Sequence, residues 1–403
     1  MTAPLPTRVG ALPTRVGALF TRVGALPTGA DVVVVGAGLM GTAAAWAATR
    51  RGLSVVLVEQ FEVGNTRGSS HGSARIVRRA YPDPVYARLT GRAFELWREL
   101  ELDSGVPLLR LVGGLDHGSR RDVRRIAATL TDLDVPHELL DATEAGRRWP
   151  GLVFATDVVH HPQAGTVDAA AAVLAATDRA AARGASVQPR TAVTGLRVEG
   201  DGTAVVDTDR GTVRAGRVVV AAGAWARQLL GDAAIPVPGL EVTQQQVFHF
   251  PRRDGVPEWP VVVHDDELGT YSLPGGRDGG PGGARKVAEH MSGAPGSRPT
   301  TASTRSGVVD PVARRRIVEY VTRWMPGLVP EPFGESTCLY TTTANEDFVL
   351  DRVGPVVVCS PCSGHGAKFA PLIGELVVDL VVGGVDAGEA RFRLAAHGVP
   401  AAA

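Results

Sequence analysis

Gly36, Gly38 and Gly41 stand as G-x-G-x-x-G directly after the β-branched run at 32–35, and Glu59 closes a second apolar run 21 residues beyond Gly38. Those types at those spacings suit a phosphate anion. The first glycine permits a tight turn and the second lets the backbone approach a pyrophosphate. The third lets helix and strand pack closely, and the helix N-terminus faces the negative charge. An acid at the end of the second strand accepts hydrogen bonds from a ribose 2′-hydroxyl and repels a 2′-phosphate. A lone glycine fingerprint is weak. Here a strand, the glycines, an Ala-rich helix at 42–51, a strand at 54–59 and the acid occur in order, which points to an ADP-containing cofactor without choosing between NAD and FAD.

Five further segments carry reactive side chains. Residues 69–81, SSHGSARIVRRAY, form a polar, Arg-rich loop placed where the far end of such a cofactor lies; the plainer reading of Arg75, Arg78 and Arg79 is a solvated basic loop. Cys338 lies in TCLYT at 337–341. A cysteine acts as a nucleophile only as its thiolate, and otherwise serves as a small buried hydrophobe. Residues 363–368 read SGHGAK, and Lys286 and His290 stand four apart in KVAEH. Cys359 and Cys362 form a C-x-x-C, as in redox dithiols and zinc sites. No second cysteine pair accompanies them, so core or turn cysteines are the simpler reading and no metal site is expected.

The loop at 69–81 and the segments at 337–341 and 363–368 together resemble the monomeric sarcosine oxidase and N-methyltryptophan oxidase family, within the wider D-amino acid oxidase-like group. The resemblance runs from Asp31 to about Phe392. It implies FAD, attached through its 8α-methyl to Cys338. It implies a carboxylate-binding pair, Arg78 and Lys368, in which a guanidinium offers a planar two-point grip and an ammonium a point charge. Arg75 is implied as a neighbour of the isoalloxazine. His71, Gly364, His365, Gly366 and Lys368 lie in the segments expected to touch the cofactor. Lys286 matches an oxygen-activating lysine and His290 a histidine at the substrate, while Tyr271 and Tyr340 match aromatic positions of the substrate cavity. Ala367 stands where the family often has a bulkier aromatic residue, so a larger N-methylated or cyclic amino acid suits the pocket at least as well as sarcosine.

These residues need a scaffold. The expected fold is α/β: a Rossmann-like FAD-binding domain (31–110, 168–240 and 340–395) interleaved with a substrate domain (111–167 and 241–339) on a mixed, largely antiparallel sheet. Pro84 after Asp83 marks a helix start, with one apolar face from Tyr86 to Leu100. A further Ala-rich helix is expected at 169–183, and another at roughly 371–381. Residues 275–283 and 292–306, rich in Gly, Pro and polar residues, read as surface excursions or a mobile lid. The unit TRVGALP at 7–13 recurs at 14–20 and 21–27 with one change, and no acidic residue precedes Asp31. Its glycines and prolines exclude a coiled coil, and residues 1–30 read as a disordered leader with order beginning at Asp31.

Composition narrows the function further. With 44% hydrophobic residues the chain can bury a large core, and 42 basic against 42 acidic residues give no electrostatic footprint for nucleic acid or an anionic membrane. No uncharged apolar stretch reaches the ~18–20 residues of a membrane span. Three cysteines suit a reducing compartment rather than a disulfide framework. The combined expectation is a cytoplasmic, monomeric or small homo-oligomeric oxidase that takes a secondary α-amino acid and O₂ and gives an imine and H₂O₂. The alternatives are a flavin dehydrogenase of an amino or hydroxy acid using another electron acceptor, and a flavin-binding assembly protein without turnover.

Overall fold

A computed structural model describes residues 24–280, 283–290, 298–383 and 389–399. The β-branched run forms the strand Gly29–Val35, buried over its last four residues. It lies parallel to Val55–Val58 on one side and to the end of Gly211–Val220 on the other, and Val356–Ser360 continues the parallel set. The register is level: Val35 pairs with Val58 and with Val220, and Val220 with Val358. Three of these strands therefore end together, and Gly36, Glu59 and Ala221 just past them lie level with Cys359 of the fourth, along one edge of an eight-stranded sheet. That carboxyl edge is where open α/β sheets bind their ligands.

Helices Leu39–Arg50, Ala169–Ala182 and Ala370–Val382 cover this sheet. Small residues make the contact close: Gly374 sits so near the first helix that a Cβ there would lie 2.5 Å from the Ala43 carbonyl oxygen. Asp83 caps the helix Pro84–Ser104 by accepting from the Val85 amide at 2.9 Å, as the sequence leads one to expect.

A second, nine-stranded sheet takes its strands from residues 114–161 and 241–342. It is antiparallel except where Val261–Asp265 runs parallel to Gly114–His117, so it is mixed and largely antiparallel as expected. Arg75–Arg78 belongs to a separate three-stranded sheet, paired with Ala164–Val167. Among the described residues no helix is long and apolar enough to cross a membrane.

Two expectations change. Most of the leader lies outside the described residues, but order begins before Asp31. Gly29 starts the first strand, Leu26 packs on the core, and the carbonyls of Gly24 and Ala25 accept from Arg210 at 2.9 Å and Gln188 at 3.2 Å. An apolar side chain and satisfied backbone acceptors are enough to hold this stretch. The glycine-rich stretch at 275–283, as far as it is described, is not a free excursion either. Arg277 bonds Asp168, the N-cap of Ala169–Ala182, at 2.7 Å, and the Asp278 carboxylate takes the Ser73 amide and hydroxyl. Of residues 292–306, those before 298 lie outside the described residues.

Candidate active site

One cleft of about 820 Å³ runs from the carboxyl edge of the first sheet to the face of the second. At the first end, Gly36 has φ +100° and a Cβ would meet the Ala221 carbonyl oxygen at 2.7 Å. Gly38 precedes the helix and also borders the cleft, and Ser70 Oγ accepts from the Leu39 amide at 2.9 Å. Gly41 does not border the cleft. A Cβ there would fall 1.8 Å from the Gly36 carbonyl oxygen, so its role is the close packing of helix on turn. Glu59 is buried at the strand end, and burial pushes its pKa up. Its two oxygens accept from the Ala37 amide at 2.8 Å and the Phe61 amide at 3.0 Å. The carboxylate therefore pins the glycine turn, and each oxygen keeps a lone pair for a further donor.

At the other end, strand periodicity gathers side chains on one face. Along Glu241–Phe250, Gln245 pairs with Cys338 and His249 with Lys286. Tyr340 follows Cys338 by two and His290 follows Lys286 by four, while Tyr271 pairs with Ala288 on the next strand. Tyr271, Lys286, His290, Cys338 and Tyr340 all line the cleft. Cys338 is more enclosed than a partly accessible thiol, at 7% exposed.

Lys286 Nζ donates to the Ala74 carbonyl at 3.2 Å, the same oxygen that takes Arg75 Nη1 at 2.9 Å. Arg75 is further held by the carbonyls of Ser69 and His71. Burial, and then the neighbouring Arg75, pushes Lys286 down to about 7. Burial and the cations around it likewise lower His71 to about 4, and its Nε2 has no partner among the described residues.

Arg78 lies over the Tyr81 ring at 4.5 Å, with its Nη1 3.6 Å from a carboxylate oxygen of the buried Asp116. Burial alone would raise Asp116, yet Arg121 and Arg78 hold it well below the usual carboxylate range. Lys368 is 6% exposed, and burial and Arg78 lower it well below an ordinary lysine. His290, lowered to about 4 by burial and then by Lys368 and Arg78, has Nδ1 3.4 Å from the Tyr340 hydroxyl. Gly364, at φ +72°, passes so close that a Cβ would lie 2.5 Å from the Tyr340 ring and 2.9 Å from His290. Gly366 turns the chain tightly enough that a Cβ would meet the Pro361 carbonyl oxygen at 1.7 Å. His365 borders the cleft, but its ring nitrogens reach the Tyr81 hydroxyl at 3.1 Å and the Glu346 carbonyl at 3.2 Å.

Every residue expected at the cofactor or substrate, Gly41 apart, thus borders one cleft. His249, Asp278, Asp116 and Arg121 were not anticipated. The first two line the cleft and the others buttress Arg78, and nothing in their immediate sequence marks them. Of the C-x-x-C pair, burial pushes Cys359 up to about 12, and Cys362 accepts from the Thr341 amide at 3.3 Å. Cys359 packs in the core beneath the sheet edge, and both thiols border the cleft. The glycine cradle, the helix N-terminus and a cleft joining Gly36 to Lys368 fit an extended dinucleotide such as FAD.

Residues 31–380 match the family described as DAO, FAD dependent oxidoreductase. The monomeric sarcosine oxidase of Streptomyces avermitilis is 35% identical over 367 residues, covering 87% of this chain and 93% of that protein. The chain belongs to the monomeric sarcosine oxidase family of FAD-dependent oxidoreductases. The N-methyl-L-tryptophan oxidase of Yersinia pestis is 28% identical over 366 residues, covering 84% of this chain and 91% of its own. Among solved structures, NikD, described as an unusual amino acid oxidase essential for nikkomycin biosynthesis, superposes with TM-score 0.81 at 27% identity. It covers 91% of this chain and 98% of that one. The resemblance in three short motifs therefore extends along the whole fold, and FAD is the cofactor.

Proposed function

We propose that this protein oxidises a secondary α-amino acid, N-methylated or cyclic, at its CH–NH bond to the imine and passes the electrons to O₂, giving H₂O₂. The observation that carries this is the placement of cations in one cleft: Arg78 and Lys368 near His290 and Tyr340, and Lys286 by the Ala74 carbonyl. The two electrons released at the CH–NH bond would pass to FAD held in this cleft and from it to O₂.

The remaining roles belong to the chain. Arg78 and Lys368 hold the substrate carboxylate, Arg78 kept in place by Asp116 and the Tyr81 ring. The same two positive charges disfavour an ammonium beside them, so the amine binds in its neutral form with a free lone pair. His290, held neutral at ordinary pH, adds no further charge. Tyr271, raised to about 12 by burial, keeps its hydroxyl proton and, with Tyr340, walls the cavity. Lys286 presents a fixed ammonium as charge develops on oxygen, and this favours the oxidase over a dehydrogenase with another acceptor. Arg75, pinned by three carbonyls, would lie beside the isoalloxazine, and Cys338 would hold the flavin as a thioether. Three free thiols fit a cytoplasmic enzyme, working as a monomer or small homo-oligomer.

Ala367 lines the cleft next to Lys368 and presents only a methyl group there. Under nitrogen, N-methyl and cyclic α-amino acids are expected to bleach the flavin's visible band, with larger side chains at least as effective as N-methylglycine. The same panel without a carboxylate is expected to bleach little. Bleaching by simple amines at the rate of the amino acids would overturn the proposal.

A further inference from the structure

Lys368 is buried beside Arg78, a setting in which burial and a like charge both favour the neutral amine. A neutral amine binds a carboxylate poorly, so something must favour the ammonium. Lys368 Nζ donates to the Tyr81 hydroxyl at 2.9 Å and to the His365 carbonyl at 2.6 Å. The Tyr81 hydroxyl is also 3.1 Å from His365 Nδ1, and His365 Nε2 is 3.2 Å from the Glu346 carbonyl. The direction of this chain is fixed from its far end. A carbonyl only accepts, so Nε2 carries the imidazole proton and Nδ1 is the acceptor. The Tyr81 proton then points to Nδ1, and the lone pairs of its oxygen are left for Lys368. A hydroxyl free to turn would serve the neutral amine as a donor equally well.

We infer that Tyr81 is a positioning residue which, oriented by His365 and the Glu346 carbonyl, holds Lys368 as a hydrogen-bond donor in its charged form. The ring of Tyr81 lies under Arg78 at 4.5 Å, so one side chain supports both cations. Two of the three ammonium donors are spent on Tyr81 and His365, leaving one for an incoming carboxylate. The titratable groups facing this set are Arg78, His290 and His365 around Lys368, with Asp116 and Arg121 acting on Tyr81, and Tyr86 with Asp347 on the outer side. Asp116 is bound to Arg121 and Asp347 to Arg391, and among the described residues no carboxylate pairs directly with Lys368. The inference rests on the reading of Lys368 as a carboxylate ligand.

The test is the pH dependence of acetate binding to the oxidised holoenzyme, followed by the flavin's visible absorbance between about pH 6 and 9. Lys368 is charged below its pKa and neutral above it, so acetate should bind tightly at the acid end and weaken as pH rises. Tyr81→Phe keeps the ring under Arg78 and removes only the hydroxyl. The weakening should begin about one pH unit lower, so that acetate binds about ten-fold more weakly at the alkaline end and nearly as in wild type at the acid end. His365→Phe keeps the stack on Phe348 and frees the Tyr81 hydroxyl to turn, and is expected to shift the profile the same way. Lys368→Met should bind acetate weakly at every pH. An unshifted Tyr81→Phe profile, or a loss of equal size at every pH, would overturn the inference. Wild-type affinity in Lys368→Met would remove the carboxylate-site reading itself.

Discussion

Replacing Lys286 with methionine is expected to slow recovery of the flavin's visible band in air by ~10²-fold or more, while bleaching by substrate under nitrogen changes little. The effect follows from where the charge sits. Lys286 is buried, held by a single carbonyl, and placed on the sheet face that also carries Cys338. A preorganised ammonium stabilises negative charge on oxygen without reorganising at the moment of reaction, and methionine keeps the bulk while removing that charge. A pH effect follows. With Lys286 lowered to about 7, chiefly by burial, its ammonium is present below that pH and lost above it. Wild-type reoxidation should therefore slow as pH rises through about 7, and the variant should show no such step. Arg78→Met, in the same stopped-flow experiment, should invert the pattern, with weak substrate binding, slow bleaching and nearly normal reoxidation. Wild-type reoxidation in Lys286→Met would sink the oxygen-site assignment.

Acid denaturation should leave the yellow colour with the wild-type polypeptide and release it wholly from Cys338→Ser. A cysteine thiolate is within reach at neutral pH, whereas a serine alkoxide is not, so the substitution removes the nucleophile with little change of shape. Cys338 packs with Val247 and Ala288 beside Tyr271 and Tyr340. A hydroxyl is tolerated there at modest cost, and the variant should still bind FAD without a bond. Flavin that is extractable from the wild type would refute the thioether and leave FAD binding intact.

Much of the site was legible because its residues repeat with the period of the elements that carry them. The glycines and Glu59 follow strands whose ends are level, so short local motifs become one binding edge. Cys338 with Tyr340 along one strand, and Lys286 with His290 just past the end of another, are spaced by even numbers and line the same cleft. The partners that support them were not legible, because they come from distant elements with no motif of their own. Asp116 is an isolated acid in a short strand, and only the fold brings it under Arg78. Asp278 meets Ser73 across 205 residues, and a Gly, Arg and Asp composition at 275–280 is equally that of a solvated loop. Local pattern likewise gave residues 24–28 no reason for order, since Arg210 and Gln188 supply it from afar.

The most direct test of an oxidase acting on secondary amino acids is the H₂O₂ formed per molecule of an N-methyl α-amino acid consumed in air-saturated buffer. Two electrons leave the CH–NH bond and two reduce O₂, so the ratio should be one to one, with the imine hydrolysing to the primary amine and a carbonyl product. Substrate-driven bleaching under nitrogen with little peroxide in air, and turnover only when an artificial electron acceptor is added, would contradict the account.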